Sequence, residues 1–520
     1  MLLNDVMFVF GLLCTVEASR ILVVYPFPIR SLDILGQGFV RHLLNAGHEV
    51  TYVTCYPKKS DNNTNLRQVD ISSNLVDMSD EGFNISNVMR NKIDVYDVKM
   101  YQDFSFFFAI VTFNNTNVQK LLEDTNQSFD AVLVDYDETE IYAGLASLYG
   151  CPMIWATSLG PHWQALRLVD EPSNPAYTAD YLSSNLVPFT FYQRLEELWA
   201  RIKWIWWKRT STMPKERDTF ENIFKPLFEK RGRTLPNYDE MIYNSSLVFS
   251  NSHNAFGDVP SLPQNLKLIG GYHIEHPPKP LPQDLQSLMN SAKHGVIYFS
   301  MGSTWNSKDF PKSMIEGLLR VFGKLKQTVI WKFEDDLPHV PANLKILKWA
   351  PQPSILAHSN CLLFITHGGQ LSSTESIHYG VPIIGIPIFF DQFVNINKAV
   401  AKGYAIKVPL NYELPNNLGV AIQTIIFNPK YRKLAKDLSS IYHNRPLPPG
   451  KEAVYWVEHV IKTGGALHLR SPSLTVSFYQ KYYLDLAAAI IALIFAVCKM
   501  VKWLLPNKKG SSTVIKEKRN

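Results

Sequence analysis

The residues best suited to chemistry lie in the segment FITHGGQLSSTES, residues 364–376. An apolar strand ends before His367, and Gly368 and Gly369 then allow a tight turn into a helix. The start of a helix exposes unpaired N–H groups that bind phosphate, and His367 can add a donor to the same phosphate. Glu375 is an acceptor suited to a pair of sugar hydroxyls. A histidine that only caps the helix would explain this turn equally well. The neighbouring segments must therefore decide between a helix cap and a phosphate site.

The segments on either side supply the other groups that a sugar nucleotide needs. Trp349 offers an aromatic face for a base, and Gln352 offers an amide for the edge of that base. After the next apolar run, Asp391 and Gln392 offer a carboxylate and an amide to sugar hydroxyls. A base stacker, a phosphate cradle, a ribose acceptor and a hexose acceptor therefore follow one another along the chain.

This order and spacing resemble the UDP-glycosyltransferase family in its membrane-bound animal form, which includes glucosyl- and glucuronosyltransferases. The match is nearly residue for residue from Trp349 to Gln392 and looser from Arg20 to the C-terminal anchor. The resemblance implies an α/β fold with two Rossmann-like domains facing a cleft, the glycosyltransferase type B architecture. It also implies roles for eight residues: Trp349 and Gln352 on uracil, His367, Gly368 and Ser303 at the diphosphate, Glu375 on the ribose, and Asp391 with Gln392 on the sugar.

The acceptor side departs from the family pattern in residues 26–38, PFPIRSLDILGQG. Members of the family place a histidine there as general base, supported by an aspartate at the end of a later strand. The aspartate is present as Asp135, but Leu32 occupies the position of the histidine. An amine or an already ionised acceptor needs no strong base, so we expect activity biased toward such acceptors. Asp33, one residue away, is an alternative base.

Two further segments bear on the substrates that the resemblance implies. The aromatic run at residues 101–108, YQDFSFFF, is expected to line a pocket for a lipophilic acceptor, although core packing accounts for most of its Phe residues. Family members that use UDP-glucuronate are expected to pair its carboxylate with an arginine near residues 251–256. That segment, NSHNAF, contains none, so UDP-glucose is the expected donor.

Three classes of function compete at this level. The first is an inverting hexosyltransferase, and the second is a catalytically impaired protein of the same fold that binds a UDP-sugar or a lipophile. The third, a dinucleotide-dependent oxidoreductase, has only a fragment of the glycine fingerprint at Gly36 and Gly38, with Arg41 in place of the third glycine. The sequence contains no phosphate-loop lysine motif and no cluster of metal ligands. We therefore expect no metal and no cofactor, with the UDP-sugar as co-substrate.

The elements that must position these residues form two α/β blocks. In residues 20–158 and again in residues 295–389, short apolar runs of strand type alternate with runs of helical periodicity. A Pro-rich stretch at residues 260–284 separates them. We expect the following divisions: a signal peptide at 1–19, an acceptor domain at 20–255, a donor domain at 256–440, a helical return segment at 441–483, a transmembrane helix at 484–505 and a cytosolic basic tail at 506–520.

Charge and hydropathy point to a membrane rather than to nucleic acid. The chain has 520 residues and a net charge of +6, and the seven basic residues and one acid at 499–520 account for that excess. A neutral body makes nucleic acid an improbable partner. Residues 484–505 are apolar and long enough to span a bilayer, and the alternative is a buried C-terminal helix. Basic residues after the span place the tail in the cytosol and the body on the far side.

The remaining signals concern compartment and surface. Five sequons, at Asn62, Asn84, Asn114, Asn126 and Asn244, fit a lumenal, glycosylated body. Lysines third and fifth from the C-terminus resemble an endoplasmic-reticulum retrieval signal, and a merely solvated tail is the alternative.

Trp and basic residues mix in residues 188–209, which fits either a helix on a membrane interface or a core helix with basic solvent positions. The five cysteines are scattered and indicate no disulfide framework, and whether the chain forms a homo-oligomer is left open.

Overall fold

The computed structural model of the chain describes residues 18–58, 63–75, 84–257, 261–304 and 307–505. Contacts divide the chain into two compact units, Met1–Arg470 and Ser471–Asn520. The first unit contains two parallel β-sheets, each with helices on both faces. The described part of the second unit, residues 471–505, contains two α-helices and one 3₁₀ turn. The expected signal peptide and basic tail lie almost wholly outside the described residues.

The first sheet is built from short apolar runs buried on both faces, the pattern typical of parallel strands. Its strands are β1 (Arg20–Tyr25), β2 (Glu49–Thr54), β3 (Leu66–Asp70), β4 (Ala131–Asp135), β5 (Met153–Thr157), β6 (Leu247–Ser250) and β7 (Leu266–Leu268). All pairings are parallel, and the order is β3-β2-β1-β4-β5-β6-β7. Since β1 joins β2 on one side and β4 on the other, the order reverses at β1, where a ligand crevice is expected.

The second sheet repeats this plan. Its strands are β8 (Val296–Ser300), β9 (Thr328–Lys332), β10 (Leu344–Leu347), β11 (Cys361–Thr366), β12 (Ile383–Gly385) and β13 (Ala405–Lys407). They are parallel in the order β10-β9-β8-β11-β12-β13, so the switch point lies between β8 and β11. The segment that contains His367 begins where β11 ends.

The described residues form nineteen α-helices; those of the first unit cover its two sheets, and the last two belong to the second unit. They are α1 (Arg30–Asn45), α2 (Ile85–Met89), α3 (Val98–Asn114), α4 (Thr116–Glu123), α5 (Ala143–Tyr149), α6 (Trp163–Leu166), α7 (Phe191–Trp207), α8 (Met213–Lys230), α9 (Tyr238–Met241), α10 (Gln283–Ser291), α11 (Lys312–Gly323), α12 (Gln352–Ala357), α13 (Gln370–Tyr379), α14 (Gln392–Ala401), α15 (Leu414–Phe427), α16 (Pro429–His443), α17 (Pro449–Lys462), α18 (Phe478–Lys481) and α19 (Leu484–Leu504). Short 3₁₀ turns occur at Ser72–Asn74, Asn254–Phe256, Ser307–Asp309, Leu467–Leu469 and Pro472–Thr475, and a π-helical turn occurs at Lys208–Thr212.

The chain crosses between the two sheets twice. Strand β7 pairs with β6, so the first sheet extends beyond the junction expected at residue 256, and the Pro-rich stretch after β7 forms the crossing. Helix α17 then returns to pack against α1 of the first sheet, where Ala453, Val457 and Val460 join its core. The contact is close: a Cβ added to Gly450 would lie 2.1 Å from His42 Cε1.

Helix α19 has the properties of a membrane span. It has 21 residues, it is long and apolar enough to cross a bilayer, and its residues are exposed throughout. A soluble core helix would bury one face, which α19 does not do within its own unit. It is therefore a candidate transmembrane helix.

Candidate active site

One cavity of about 520 Å³ collects most of the residues singled out in the sequence. Seven of the eight expected donor-site residues line it: Ser303, Trp349, Gln352, His367, Glu375, Asp391 and Gln392. The first sheet contributes the opposite wall, where Ser31, Leu32 and Ile34 at the start of α1 face the same space. Gly368 is buried against Ile396, and its neighbour Gly369 lines the cavity instead.

The end of the cavity suited to a nucleoside is a connected set of polar groups beside an exposed ring. Trp349 follows β10 and is 56% exposed, so its face is free to stack. Gln352, at the first position of α12, donates from Nε2 to Glu375 Oε2 (2.8 Å) and accepts from the Tyr298 hydroxyl (3.2 Å). His273, from the turn after β7, places Nε2 3.5 Å from Glu375 Oε1. A residue of the first domain, His273, thus approaches Glu375 of the second domain, the predicted ribose contact.

The turn between β11 and α13 is built by glycines that allow close approach. Gly368 has φ +87° and its N–H donates to Thr366 Oγ1 (3.2 Å). Gly302, in the loop after β8, has φ +84°, and a Cβ there would lie 2.5 Å from His367 Cε1. Burial, reinforced by the charge of Lys332, lowers the pKa of His367 to about 4. The imidazole is therefore neutral at pH 7, able to donate one hydrogen bond to a phosphate oxygen beside the α13 N-terminus.

Lys332 is a cavity residue that the sequence reasoning missed. It is the last residue of β9, its Nζ donates to the Gly302 carbonyl (2.9 Å) and to Glu334 (2.7 Å), and it lies 5.8 Å from the Trp349 ring centre. A cation at this point increases the attraction of the site for a diphosphate. The available signal was a charged residue at the end of an otherwise apolar strand, on the edge where ligands gather.

The far end of the cavity holds Asp391 and Gln392 at the start of α14. Asp391 accepts a hydrogen bond from Asn395 Nδ2 (2.6 Å), and burial raises its pKa to about 7. Gln392 uses Oε1 to accept from the backbone N–H groups of Ile388 (2.8 Å) and Phe389 (3.2 Å). Its amide nitrogen is thereby oriented as a donor. Asp391 can therefore accept a hydrogen bond from a sugar hydroxyl, and Gln392 can donate one to a sugar hydroxyl.

The wall contributed by the first domain is apolar. Beside Leu32 and Ile34 its apolar residues are Met100, Tyr101, Phe104 and Leu159, and Phe389 and Phe390 of the second domain adjoin them. Helix α3 therefore supplies two aromatic residues of the expected run to the cavity. Phe106 and Phe108 are buried in the core and Phe107 is exposed, as expected for residues spaced around a helix.

Two aspartates considered as catalytic groups lie behind this wall. Asp135, at the end of β4, is buried, and neither carboxylate oxygen has a hydrogen-bond partner among the described residues. Burial and the nearby Asp137 raise its pKa well above the usual value. Asp33 accepts hydrogen bonds from Gln37 (2.6 Å), Thr54 (2.9 Å), Tyr52 (3.0 Å) and Arg30 (3.2 Å). Neither is among the residues that line the cavity.

The expected glycosylation sites differ in accessibility. Asn114, Asn126 and Asn244 are exposed, whereas Asn84 is half-buried and its side chain caps α2 by accepting from the Asn87 N–H (3.0 Å). Asn62 lies outside the described residues. Glycosylation of each remains a prediction.

Fold and site together define a glycosyltransferase that takes its sugar from a nucleotide, with two α/β domains around one cleft. Comparison with family models makes the class specific, since residues 27–516 match the model described as "UDP-glucoronosyl and UDP-glucosyl transferase". The chain therefore belongs to the UDP-glycosyltransferase family and is an enzyme that transfers sugar from a UDP-sugar.

Individual relatives agree with this assignment. The chain is 32% identical to "UDP-glucosyltransferase 2" of Dactylopius coccus over 499 residues, covering 95% of this chain and 94% of that protein. It is 29% identical to human "UDP-glucuronosyltransferase 2B10" over 392 residues, covering 74% and 71%. Among solved structures, the calicheamicin glycosyltransferase CalG4 has a TM-score of 0.53 at 15% identity, covering 86% of this chain and 99% of that one. The last likeness shows the glycosyltransferase type B fold.

Proposed function

We propose that this enzyme transfers glucose from UDP-glucose to a small lipophilic acceptor, with inversion at the anomeric carbon. One observation carries the proposal: a single cavity is lined both by the residues that we propose bind the nucleotide and the sugar and by apolar side chains such as Leu32, Met100 and Phe104. A sugar held by Asp391 and Gln392 would lie between the diphosphate contacts and that apolar surface. Attack from the acceptor side, opposite the departing UDP, inverts the configuration.

Glucose is favoured over glucuronate by the charges around the cavity. A glucuronate carboxylate needs a cation, and segment 251–256 has no arginine. Among the described residues that line the cavity, Arg41 donates to the Tyr272 carbonyl (2.9 Å), and Lys332 is paired with Glu334. Lys279 is paired with Glu275 (3.0 Å). The name of the Dactylopius relative, a UDP-glucosyltransferase, supports the same choice.

The acceptor is proposed to be an amine or an ionised group. Leu32 lines the cavity where the family pattern has a histidine, so the wall lacks the usual strong base at that point. A neutral amine already has a lone pair and can attack without prior deprotonation. An alcohol cannot, and loss of a positioned base commonly reduces turnover by about 10²–10⁴-fold.

The second proposal is a catalytically impaired protein that binds a UDP-sugar or a lipophile. Leu32 favours it, as does the buried Asp135, which has no hydrogen-bond partner among the described residues, because the usual pair of catalytic groups is incomplete. The complete donor wall favours the enzyme, since Asp391 and Gln392 have little purpose unless a sugar is bound. Binding of UDP is common to both.

We further propose a single-pass type I protein of the endoplasmic reticulum with a lumenal body. Helix α19 supports the anchor, the basic residues after it support a cytosolic tail, and the exposed Asn114, Asn126 and Asn244 support a lumenal body. No part of this arrangement depends on the identity of the acceptor.

The test is release of UDP from UDP-glucose by purified membranes in the presence of a panel of amines, phenols and alcohols. We expect turnover with amines, weaker turnover with phenols and little with simple alcohols. Binding of UDP without turnover of any acceptor would favour the second proposal. Faster turnover of UDP-glucuronate would contradict the proposed donor.

A further inference from the structure

Helix α7 has an exposed apolar face that none of the roles above uses. Eight large residues on it are at least 38% exposed: Phe191, Tyr192, Leu195, Leu198, Trp199, Ile202, Ile205 and Trp206. Most recur at intervals of three and four, so they form one stripe along about five turns. A globular protein normally turns such a stripe toward its core, and an exposed patch of this kind marks an interaction surface.

The helix is held in place from its inner side. Thr190 and Gln193 form a capping box at the N-terminus. Trp204 is buried and packs on Tyr181, with 5.7 Å between ring centres. Just after the helix, Lys208 bonds Glu140 (2.6 Å) and Glu216 (2.8 Å) in a buried ion network. The exposed stripe is therefore presented on a rigid, preformed helix.

We propose that this stripe lies on the surface of a lipid bilayer. Trp and Tyr prefer the membrane–water interface. The exposed Arg194 and Arg209 suit anionic headgroups, as does the half-buried Lys203, and these three outnumber Glu196, the exposed acid of α7. The candidate span α19 would also anchor the chain in a bilayer. A tethered second contact needs little intrinsic affinity, since the tether supplies a high effective concentration.

The inner side of the same helix connects this surface with the acceptor end of the cavity. Trp204 and Trp207 pack in one apolar cluster with Tyr101, Leu159 and Phe390, which line the cavity. One helix thus separates the bilayer surface from the acceptor pocket. A lipophilic acceptor dissolved in the membrane would approach the pocket along this apolar cluster.

The full-length protein in nanodiscs of phosphatidylcholine and phosphatidylserine tests the proposal. In a Cys498→Ser background, Ile202→Cys and Phe427→Cys each receive a polarity-sensitive fluorophore. Phe427 is 78% exposed on α15 and serves as the matched control. We expect brominated lipid to quench the label at position 202 and not at 427. Equal quenching at both sites, or none at 202, overturns the proposal, and protection at 202 that depends on protein concentration shows instead that a second copy covers the stripe.

A different observation concerns the chemistry of the acceptor. Asp137 is half-buried, lines the cavity two residues beyond the end of β4, and accepts a hydrogen bond from Ser105 Oγ (3.2 Å). The other lining carboxylates have stronger partners: Glu275 pairs with Lys279, Glu375 with Gln352, and Asp391 with Asn395. Among the described residues, Asp137 has only the Ser105 hydroxyl as a donor, and it lines the same cavity as Leu32.

We infer that Asp137 takes the proton from the acceptor, in place of the missing histidine; this rests on the proposed glucosyl transfer. As the acceptor O or N forms its bond to C1 of glucose, the C1–O bond to UDP breaks and UDP leaves with the electron pair. The acceptor's O–H or N–H bond breaks, and the proton passes to a carboxylate oxygen of Asp137. Burial raises the pKa of Asp137 to about 6, which keeps it ionised at pH 7 while improving it as a base.

Asp137→Asn tests this assignment against Asp103→Asn, which removes an equal charge outside the cavity. We expect Asp137→Asn to lower kcat for an amine, the proposed class of acceptor, by about 10²-fold, the lower end of what a positioned base contributes, without changing UDP affinity. The double variant Leu32→His/Asp137→Asn should recover part of that loss, which a merely misfolded site would not do. Undiminished turnover in Asp137→Asn overturns the assignment and leaves the proposed function standing. Absence of turnover in the unmutated protein, with UDP still bound, overturns both.

Discussion

Gln352 and Glu375 are bonded directly to one another, with 2.8 Å between Nε2 and Oε2. The family resemblance gives the first residue the edge of uracil and the second the ribose hydroxyls. Gln352 also accepts from Tyr298, and Glu375 lies 3.5 Å from His273. The side chains proposed to contact the base and the ribose therefore form one network in which each orients the other.

Replacing Gln352 and Glu375, which belong to one network, should weaken UDP binding non-additively. Glu375→Ala should lower UDP affinity about tenfold to a hundredfold, since a charge-assisted hydrogen bond contributes about 1.5–3 kcal/mol. Gln352→Ala should cost less, and the double variant should cost less than both effects combined. Isothermal titration with UDP measures all three, with the exposed Glu316→Ala as control. Additive effects, or unchanged affinity in Glu375→Ala, would contradict the assigned contacts.

Gly302→Ala should displace His367 and impair diphosphate binding. The new methyl group would lie 2.5 Å from His367 Cε1, and φ +84° strains any side chain there. We expect a loss of UDP affinity similar to that of His367→Ala, with little change in the midpoint of thermal unfolding. Gly419→Ala is the matched control, because its nearest neighbour, Val321, would be 3.5 Å away. Full UDP affinity in both Gly302→Ala and His367→Ala would remove this turn from the donor site.

Affinity for UDP-glucose should rise with pH through about 7. Burial raises the pKa of Asp391 to about 7, so the carboxyl is mainly protonated at pH 6 and mainly ionised at pH 8. The ionised form accepts hydrogen bonds from sugar hydroxyls more strongly. Titration of UDP-glucose at several pH values should show several-fold tighter binding at pH 8. Asp391→Asn should remove that component, and an identical pH profile in the variant would disprove the role of Asp391.

The sequence predicts the two parallel sheets and the donor turn well, because both have local signals. Buried parallel strands are continuous apolar runs, and the turn at Gly368 and Gly369 follows one of them directly. The domain divisions stay predictions, and β7 has only three residues, too few for a pattern to indicate that the first sheet continues to Leu268. Lys332 has a local signal, a charge at the end of an apolar strand, whereas only tertiary packing brings His273 and Asp137 to the cavity. Periodicity could not orient residues 188–209 either, and burial of Trp204 shows which face of α7 points inward.

Protease treatment of intact microsomes should remove only the tail that follows α19. The proposed topology leaves residues 506–520 on the cytosolic side and protects the body within the lumen. Immunoblotting with separate tags on the tail and the body measures each part, and detergent should make the body accessible as a control. Digestion of the body without detergent would reverse the proposed orientation.

Leu32→His should restore turnover of hydroxyl acceptors. Leu32 faces the cavity from the first turn of α1, so a histidine there would meet the acceptor directly. Turnover of a phenol should rise by part of the roughly 10²–10⁴-fold that a positioned base contributes, and turnover of an amine should rise less. Asp33→Ala serves as the contrast: four donors bond Asp33, so its loss should lower thermal stability rather than alter acceptor preference. Vigorous phenol turnover by the unmutated protein that disappears in a folded Asp33→Ala variant would show that Asp33 is the base.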